Sequence, residues 1–277
     1  MVQIGKMNRL PIKEKRNNII YLDGGKLGDI PLHASQSAMK HQSSDEIEVF
    51  IYVDKEQQLV ATIQKPYATV GEFAQLRVIG TSPAGAFMGW GLKDDLFVPK
   101  SEQLSNMRKD SSHVVYVFLS EKTKRITASS KLSKFLDRQA PEYREEEEVE
   151  LLIYSKTDLG YSAVVNNSHT GMIYENEIFQ KLALGQRLQG YVKKIRDDEK
   201  IDLRLQQTGY QRVDDVSQSI LDTIKNSGNM VSVTDKSPPE EIYALFGVSK
   251  KVFKKAIGAL YKKRLIVIDS SGIKLAE

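Results

Sequence analysis

Three stretches of this chain share one layout, a long alternating strand, an acidic or polar turn and a second strand, and such a repeat limits the fold more than any single motif. They are DEIEVFIYVDKEQQLVATIQK from Asp45, SSHVVYVFLSEKTKRITASSK from Ser111 and GQRLQGYVKKIRDDEKIDLRLQ from Gly185. Alternation at period two is plain in Ile47, Val49, Ile51 and Val53, and again in Val115, Val117 and Leu119. Upstream of each lies a strand, a polar turn and another strand: IIYLDGGKLGDIPL, AFMGWGLKDDLFVP and YSAVVNNSHTGMIY. Apolar runs around Val2 to Met7, Phe73 to Gly80 and Val149 to Tyr154 supply a first strand for each unit. Five short strands with a helical or irregular link after the third make a partly open Greek-key barrel of the OB type. One large fifteen-stranded sandwich is the alternative. Breaks at Pro66, at Pro141 with the acidic run after it, and at Gly209 favour separate modules.

From Val213 the apolar period lengthens to that of a helix. Val216, Ile220, Leu221 and Ile224 form a stripe on a helix expected from Asp214 or Asp215 to about Gly228, followed by a short strand at Met230 to Val233. Ser237 is a cap candidate for a helix carrying Ile242, Leu245 and Phe246, which Gly247 stops. Ser249 caps the next helix, with Val252, Phe253, Ala256, Ile257 and Leu260 inward, and Leu265 to Leu275 reads as a hairpin. Helix, strand, helix, helix and hairpin is the order of a winged helix. The expected fold is therefore multidomain and mainly β: three tandem five-stranded OB-fold β-barrels over residues 1–66, 67–143 and 144–208, then an α+β winged helix over 209–277.

With 40% hydrophobic and 27% charged residues the chain can build packed cores, and without cysteine it has neither disulfides nor thiolate chemistry. There is no signal-peptide pattern and no apolar run long enough to cross a bilayer, so a cytoplasmic protein without membrane contact is expected. A net charge of +4 says little by itself, but Lys250 to Arg264 carries seven basic residues and no acid. Nucleotide-loop, zinc-protease and serine-elbow motifs are absent, and His33, His41, His113 and His169 have no ligand spacing. No enzyme, metal or cofactor is expected. Glu145 to Glu148 read as a solvated linker, because adjacent residues of a strand point to alternate faces.

The third module resembles the RNA-binding OB repeat of the ribosomal-protein-S-one type. The resemblance lies in Gly160-Tyr161-Ser162-Ala163-Val164-Val165, Gly171-Met172-Ile173-Tyr174, Gly190 to Arg196 and Ile201 to Leu205. Along its length the chain is similar to the bacterial conserved virulence factor B family, through Asn176-Glu177-Ile178-Phe179, Gly190 to Gln206, and Gly85-Ala86-Phe87, Trp90-Gly91-Leu92 and Val98-Pro99. The first module departs from the pattern, offering Ile19-Ile20-Tyr21 where a Gly-aromatic pair is expected. The family resemblance implies three such modules and a winged helix, RNA binding and regulation of gene expression.

A binder of unpaired RNA needs aromatic platforms beside cations, since a bare strand offers base faces and phosphates. On the third module the candidates are Tyr161, Tyr174 and His169 with Lys156, Lys193, Lys194, Arg196 and Arg204; on the second they are Phe87 and Trp90. Tyr161, Tyr174 and Tyr191 can equally be barrel packing, and His169 a solvated turn residue. Phe50 with Tyr52, Tyr116 with Phe118, and Trp90 either grip bases or form the seam between neighbouring barrels, and the seam is the expectation. In the winged helix Lys250, Lys251, Lys254 and Lys255 suit phosphates, yet the helix lacks the Arg, Asn or Gln that pair with base edges. Single-stranded RNA is thus the expected partner. A scaffold that docks ribosome-associated or RNA-decay proteins is the second reading, and a DNA-binding regulator the third.

Overall fold

The computed structural model describes residues 1–16, 19–33, 45–178, 181–205, 210–269 and 271–276. His41, Phe179, Gln206 and Gly209 lie outside these. Among the described residues eighteen strands and three helices form three closed five-stranded barrels and a winged helix. The chain divides into two compact units, Met1–Arg138 with two barrels and Gln139–Glu277 with the third barrel and the winged helix.

The first barrel is built from β1 (Met7–Arg16), β2 (Ile19–Asp23), β3 (Asp29–His33), β4 (Glu46–Val53) and β5 (Leu59–Thr62). The second uses β6 (Phe73–Ser82), β7 (Gly85–Gly89), β8 (Leu96–Pro99), β9 (Ser112–Leu119) and β10 (Ile126–Ser129). The third uses β11 (Glu148–Thr157), β12 (Gly160–Val165), β13 (His169–Tyr174), β14 (Arg187–Ile195) and β15 (Ile201–Arg204). Each closes in the same order, first, second, third, fifth and fourth strand, with the third and fifth strands parallel. The first strand of every barrel carries a bulge at the same place, between Ile12 and Glu14, Val78 and Gly80, and Ile153 and Ser155. A bulge bends its strand, so one long strand can pair with the second strand at one end and the fourth at the other.

The first strand of the first barrel is Met7–Arg16 and not the run from Val2 to Met7. Its charged, proline-bearing sequence hides the pattern, but Leu10 and Ile12 face the core while Arg9, Pro11 and Lys13 face out. Pro11 pairs with Glu46, the first residue of β4, at the end of the ladder, where a missing N–H is tolerated.

Within the first unit the expected seam exists between neighbouring barrels. Phe50 of β4 is fully buried in the core cluster of the second barrel, edge-on to Trp90 with ring centroids 5.7 Å apart. Tyr52 donates from its hydroxyl to Asp94 at 3.4 Å. Tyr116 and Phe118 have a different partner: Phe135, from the turn after β10, lies over both, with centroids 4.1 and 5.4 Å away.

Burial pushes the Tyr52 phenol up to about 12, and the Asp94 carboxylate adds to the effect. The folded state therefore holds this proton more tightly than the unfolded chain does, a contribution fully present below pH 10 and lost as pH rises through about 12. We expect the stability difference between the wild type and Tyr52→Phe to shrink across that window. Urea unfolding followed by the fluorescence of Trp90, the sole tryptophan, checks it.

The last module contains α1 (Tyr210–Asn226), β16 (Met230–Val231), α2 (Pro239–Phe246), α3 (Lys250–Lys262), β17 (Ile266–Asp269) and β18 (Gly272–Leu275), with β18 central in the sheet. The helix α1 starts at Tyr210, four residues before Asp214, and Val216, Ile220 and Ile224 of its apolar stripe are buried in the core of the module. Ser249 caps α3, accepting from Val252 N–H, and Gly247 ends α2 in the left-handed conformation. Ser237 is not the cap of α2. Its hydroxyl accepts from Thr234 N–H at 3.0 Å, and Pro238 takes the cap position without a side-chain bond.

Candidate nucleic-acid interface

Because the three barrels share strand order and bulge position, their registers match residue by residue. Leu22, Met88 and Ala163 pair with Ile12, Val78 and Ile153 immediately before the bulge. Counting back one residue gives Tyr21, Phe87 and Ser162, and two residues gives Ile20, Ala86 and Tyr161. Ile20 and Ala86 are fully buried interior positions, whereas Tyr21 and Phe87 are half-exposed and face out. On the third strands the outward residues opposite them are Pro31, Phe97 and Met172, and at the strand ends of the second and third barrels Pro99 and Tyr174.

This register moves Tyr161 off the outer face. It occupies an interior position, its ring packs on the core of the third barrel, and its hydroxyl points at the Leu182 carbonyl 3.5 Å away. Lys156 sits with its ammonium 5.5 Å from that ring, so the two stay together at one end of the barrel. His169 is neither solvated nor available: it is 9% exposed, with Nδ1 at 2.9 Å from the Tyr143 hydroxyl and Nε2 at 2.9 Å from the Gln139 carbonyl. Trp90 is 3% exposed, and its indole N–H donates to the Asp94 carbonyl at 2.6 Å. A ring held in this way offers no face to a base, so Trp90 belongs to the seam.

Tyr174 does face out, in step with Met172 and opposite to the fully buried Ile173. The guanidinium of Arg196 lies 5.6 Å over its ring, donates to its hydroxyl, and donates through Nε to Asp202 at 2.9 Å. The hydrogen bond to Asp202 and its charge hold the Arg196 guanidinium above its ordinary range, so the cation is permanent. Lys194, paired across the sheet with Asp202, is exposed. Lys193 pairs with Glu177 at 2.6 Å, and Arg204, mostly covered, with Glu146 at 3.1 Å. Glu146 is thus an ion-pair partner of the barrel, and not only part of a solvated linker. Lys193 is the less covered of these two cations, so its pair is the one more open to competition from a phosphate.

On the second barrel the outward partner of Phe87 is Phe97, with centroids 5.2 Å apart and rings tilted by 42°. Phe97 was missed because the motif was read along β7 and not across to β8. Gly85 makes the pairing possible: a Cβ there would stand 2.9 Å from the Phe97 ring and 2.2 Å from the Val98 carbonyl.

In the winged helix Lys251 and Lys255 lie exposed one turn apart on α3. Lys250 is committed, donating to the Ser237 carbonyl at 2.8 Å, and Lys254 lies 3.6 Å from Asp235. No helix among the described residues is long and apolar enough to cross a membrane.

Three OB-type barrels with outward aromatics and a terminal winged helix define a multidomain protein of nucleic-acid-binding module types. A family model described as a CvfB-like winged helix domain matches residues 218–275, and one described as an S1 domain matches residues 4–64, the barrel whose motif departs from the pattern. Along nearly its whole length the chain is similar to conserved virulence factor B of Staphylococcus epidermidis ATCC 12228, at 25% identity over 99% of this chain and 95% of that protein. It is 25% identical to the uncharacterized protein YitL of Bacillus subtilis 168, over 84% of this chain and 80% of that one. A crystal structure of a multidomain protein with nucleic acid binding domains from Streptococcus pneumoniae TIGR4 matches 98% of each chain at 24% identity, with a TM-score of 0.43.

Proposed function

We propose that this protein is a non-catalytic, cytoplasmic binder of single-stranded RNA that regulates gene expression. One observation carries the reading: every barrel has an aromatic ring on the outward side of its second or third strand, Tyr21, the Phe87–Phe97 pair and Tyr174. An outward ring with a half-exposed face is a stacking platform for any base, and such platforms beside cations bind strands with little sequence preference. On the third barrel Tyr174 supplies the ring, while Arg196, Lys194 and, once released from Glu177, Lys193 meet the phosphates. Lys156, exposed beside the Tyr161 ring, is a further cation of the same barrel, and Arg204 is mostly covered by its pair with Glu146. Lys251 and Lys255 of the winged helix add phosphate contacts, with Lys250 and Lys254 behind them. Without base-reading side chains on α3, duplex DNA is not held in a sequence-specific way.

Fluorescence anisotropy with a labelled unpaired RNA and a duplex DNA of equal length tests this on the full chain. The RNA is expected to bind more tightly, with an affinity that falls steeply as salt rises. Lys251→Ala with Lys255→Ala should weaken binding to all sequences alike and flatten the salt slope by about one unit per lost phosphate contact. Equal or tighter binding to the duplex overturns the reading.

A further inference from the structure

The second barrel has a feature that the proposed RNA face does not use. Beside Gly85 a pocket of about 280 Å³ opens between the β6–β7 turn, the residues after β8, and the segment leading to β9. Its polar rim includes Thr81, Ser82, Lys100, Asn106, Arg108 and Lys109. The pocket is built and held. Gln103 spans it, donating from Nε2 to the Val98 carbonyl at 3.1 Å and accepting from Met107 N–H at 3.3 Å, while the buried Met107 side chain anchors the loop in the core. Lys100 N–H donates to the Ala84 carbonyl at 2.9 Å, which ties the far wall to the turn.

The cations of this pocket differ from the paired ones of the third barrel. Lys193, Arg196 and Arg204 of the third barrel are each paired with a carboxylate. Lys100, Arg108 and Lys109 have no ion pair among the described residues, no acid lines the pocket, and the adjacent Asp110 is already held by Arg77 at 2.8 Å. Three unpaired cations around a small cavity lined by hydroxyl and amide groups form a site for a compact oxyanion. Its wall at Gly85 is also the backbone against which the Phe97 ring lies, and Phe97 pairs with Phe87.

We propose that this pocket binds the phosphate group of a nucleotide whose base rests on the Phe87–Phe97 pair. Only the choice of a nucleotide rests on the nucleic-acid reading; the phosphate site follows from the pocket itself. The same phosphate chemistry can come from a free nucleotide or from an RNA strand, and the test separates the two.

Amide spectra of the full chain are recorded with inorganic phosphate, uridine, uridine 5′-monophosphate and a 5′-phosphorylated tetrauridylate. We expect saturable shifts at Ser82, Lys100 and Lys109 with every phosphate-bearing probe, and binding of uridine at least tenfold weaker than that of the monophosphate. Lys100→Ala with Arg108→Ala, both exposed, should remove those shifts and leave the rest of the spectrum unchanged. A tetrauridylate that binds more tightly than the monophosphate identifies an RNA strand as the source, and equal affinity identifies a free nucleotide. The proposal is overturned if the phosphate probes leave these amides still, if uridine binds equally well, or if the shifts survive the double substitution. Loss of RNA binding throughout with the pocket shifts intact would instead remove the proposed function and leave the phosphate site standing.

Discussion

Phe50→Ala is expected to destabilise the first unit by about 3–5 kcal/mol, the usual cost of truncating a large buried aromatic. The side chain belongs to β4 of one barrel yet is fully enclosed in the core cluster of its neighbour, against Trp90 and Tyr52. Truncation leaves a cavity that neither barrel can close alone, because the surrounding strands are fixed by their own ladders. Urea denaturation followed at Trp90 should show the midpoint fall, with the emission already shifted before the main transition. A loss below about 1 kcal/mol would mean that the seam is not a packed interface.

Tyr174→Ala should weaken binding of unpaired RNA roughly five- to 150-fold, the range set by a stacking contribution of about 1–3 kcal/mol per base. Tyr174→Phe keeps the ring and removes only the hydroxyl that Arg196 grips, so most of the affinity should remain. Tyr161→Ala is expected to act on the other axis. Its ring packs on the barrel core, and its removal should lower the melting temperature while affinity at low temperature stays within a few fold. Anisotropy titrations and thermal melts on the three variants separate these effects.

The architecture was legible because alternation and turn chemistry are local properties. The strand pairs Ile19–Asp23 with Asp29–His33, Gly85–Gly89 with Leu96–Pro99, and Gly160–Val165 with His169–Tyr174 fall where the repeat put them. The site was less legible, for a reason of parity. A strand alternates, so one place after Gly160 the parity is that of the core residues Ala163 and Val165, and two places after it the parity is the opposite one, held by Ser162, which is itself covered. A motif read as glycine followed by an aromatic therefore selected Tyr161, an interior position. Counted in twos from the glycine, the same motif selects Phe87 in the second barrel and Ser162 in the third. Trp90 and His169 illustrate a second limit. Whether a polar aromatic tip meets water or a carbonyl depends on Asp94 and Gln139, and nothing in the local pattern announces those partners. Ion pairing is equally non-local, since Arg204 finds Glu146 while Lys100 and Arg108 find no acid among the described residues.

The central claim is that the outward aromatic face of the third barrel touches the RNA. Photocrosslinking of a 4-thiouridine-substituted unpaired RNA to the full chain, followed by mass-spectrometric mapping of the adducts, tests it most directly. Adducts on Tyr174 and the flanking residues of β13 and β14, lost together when unlabelled RNA competes, are the predicted result. Competable adducts confined to other surfaces, with none on Tyr174 or its neighbours, would contradict it.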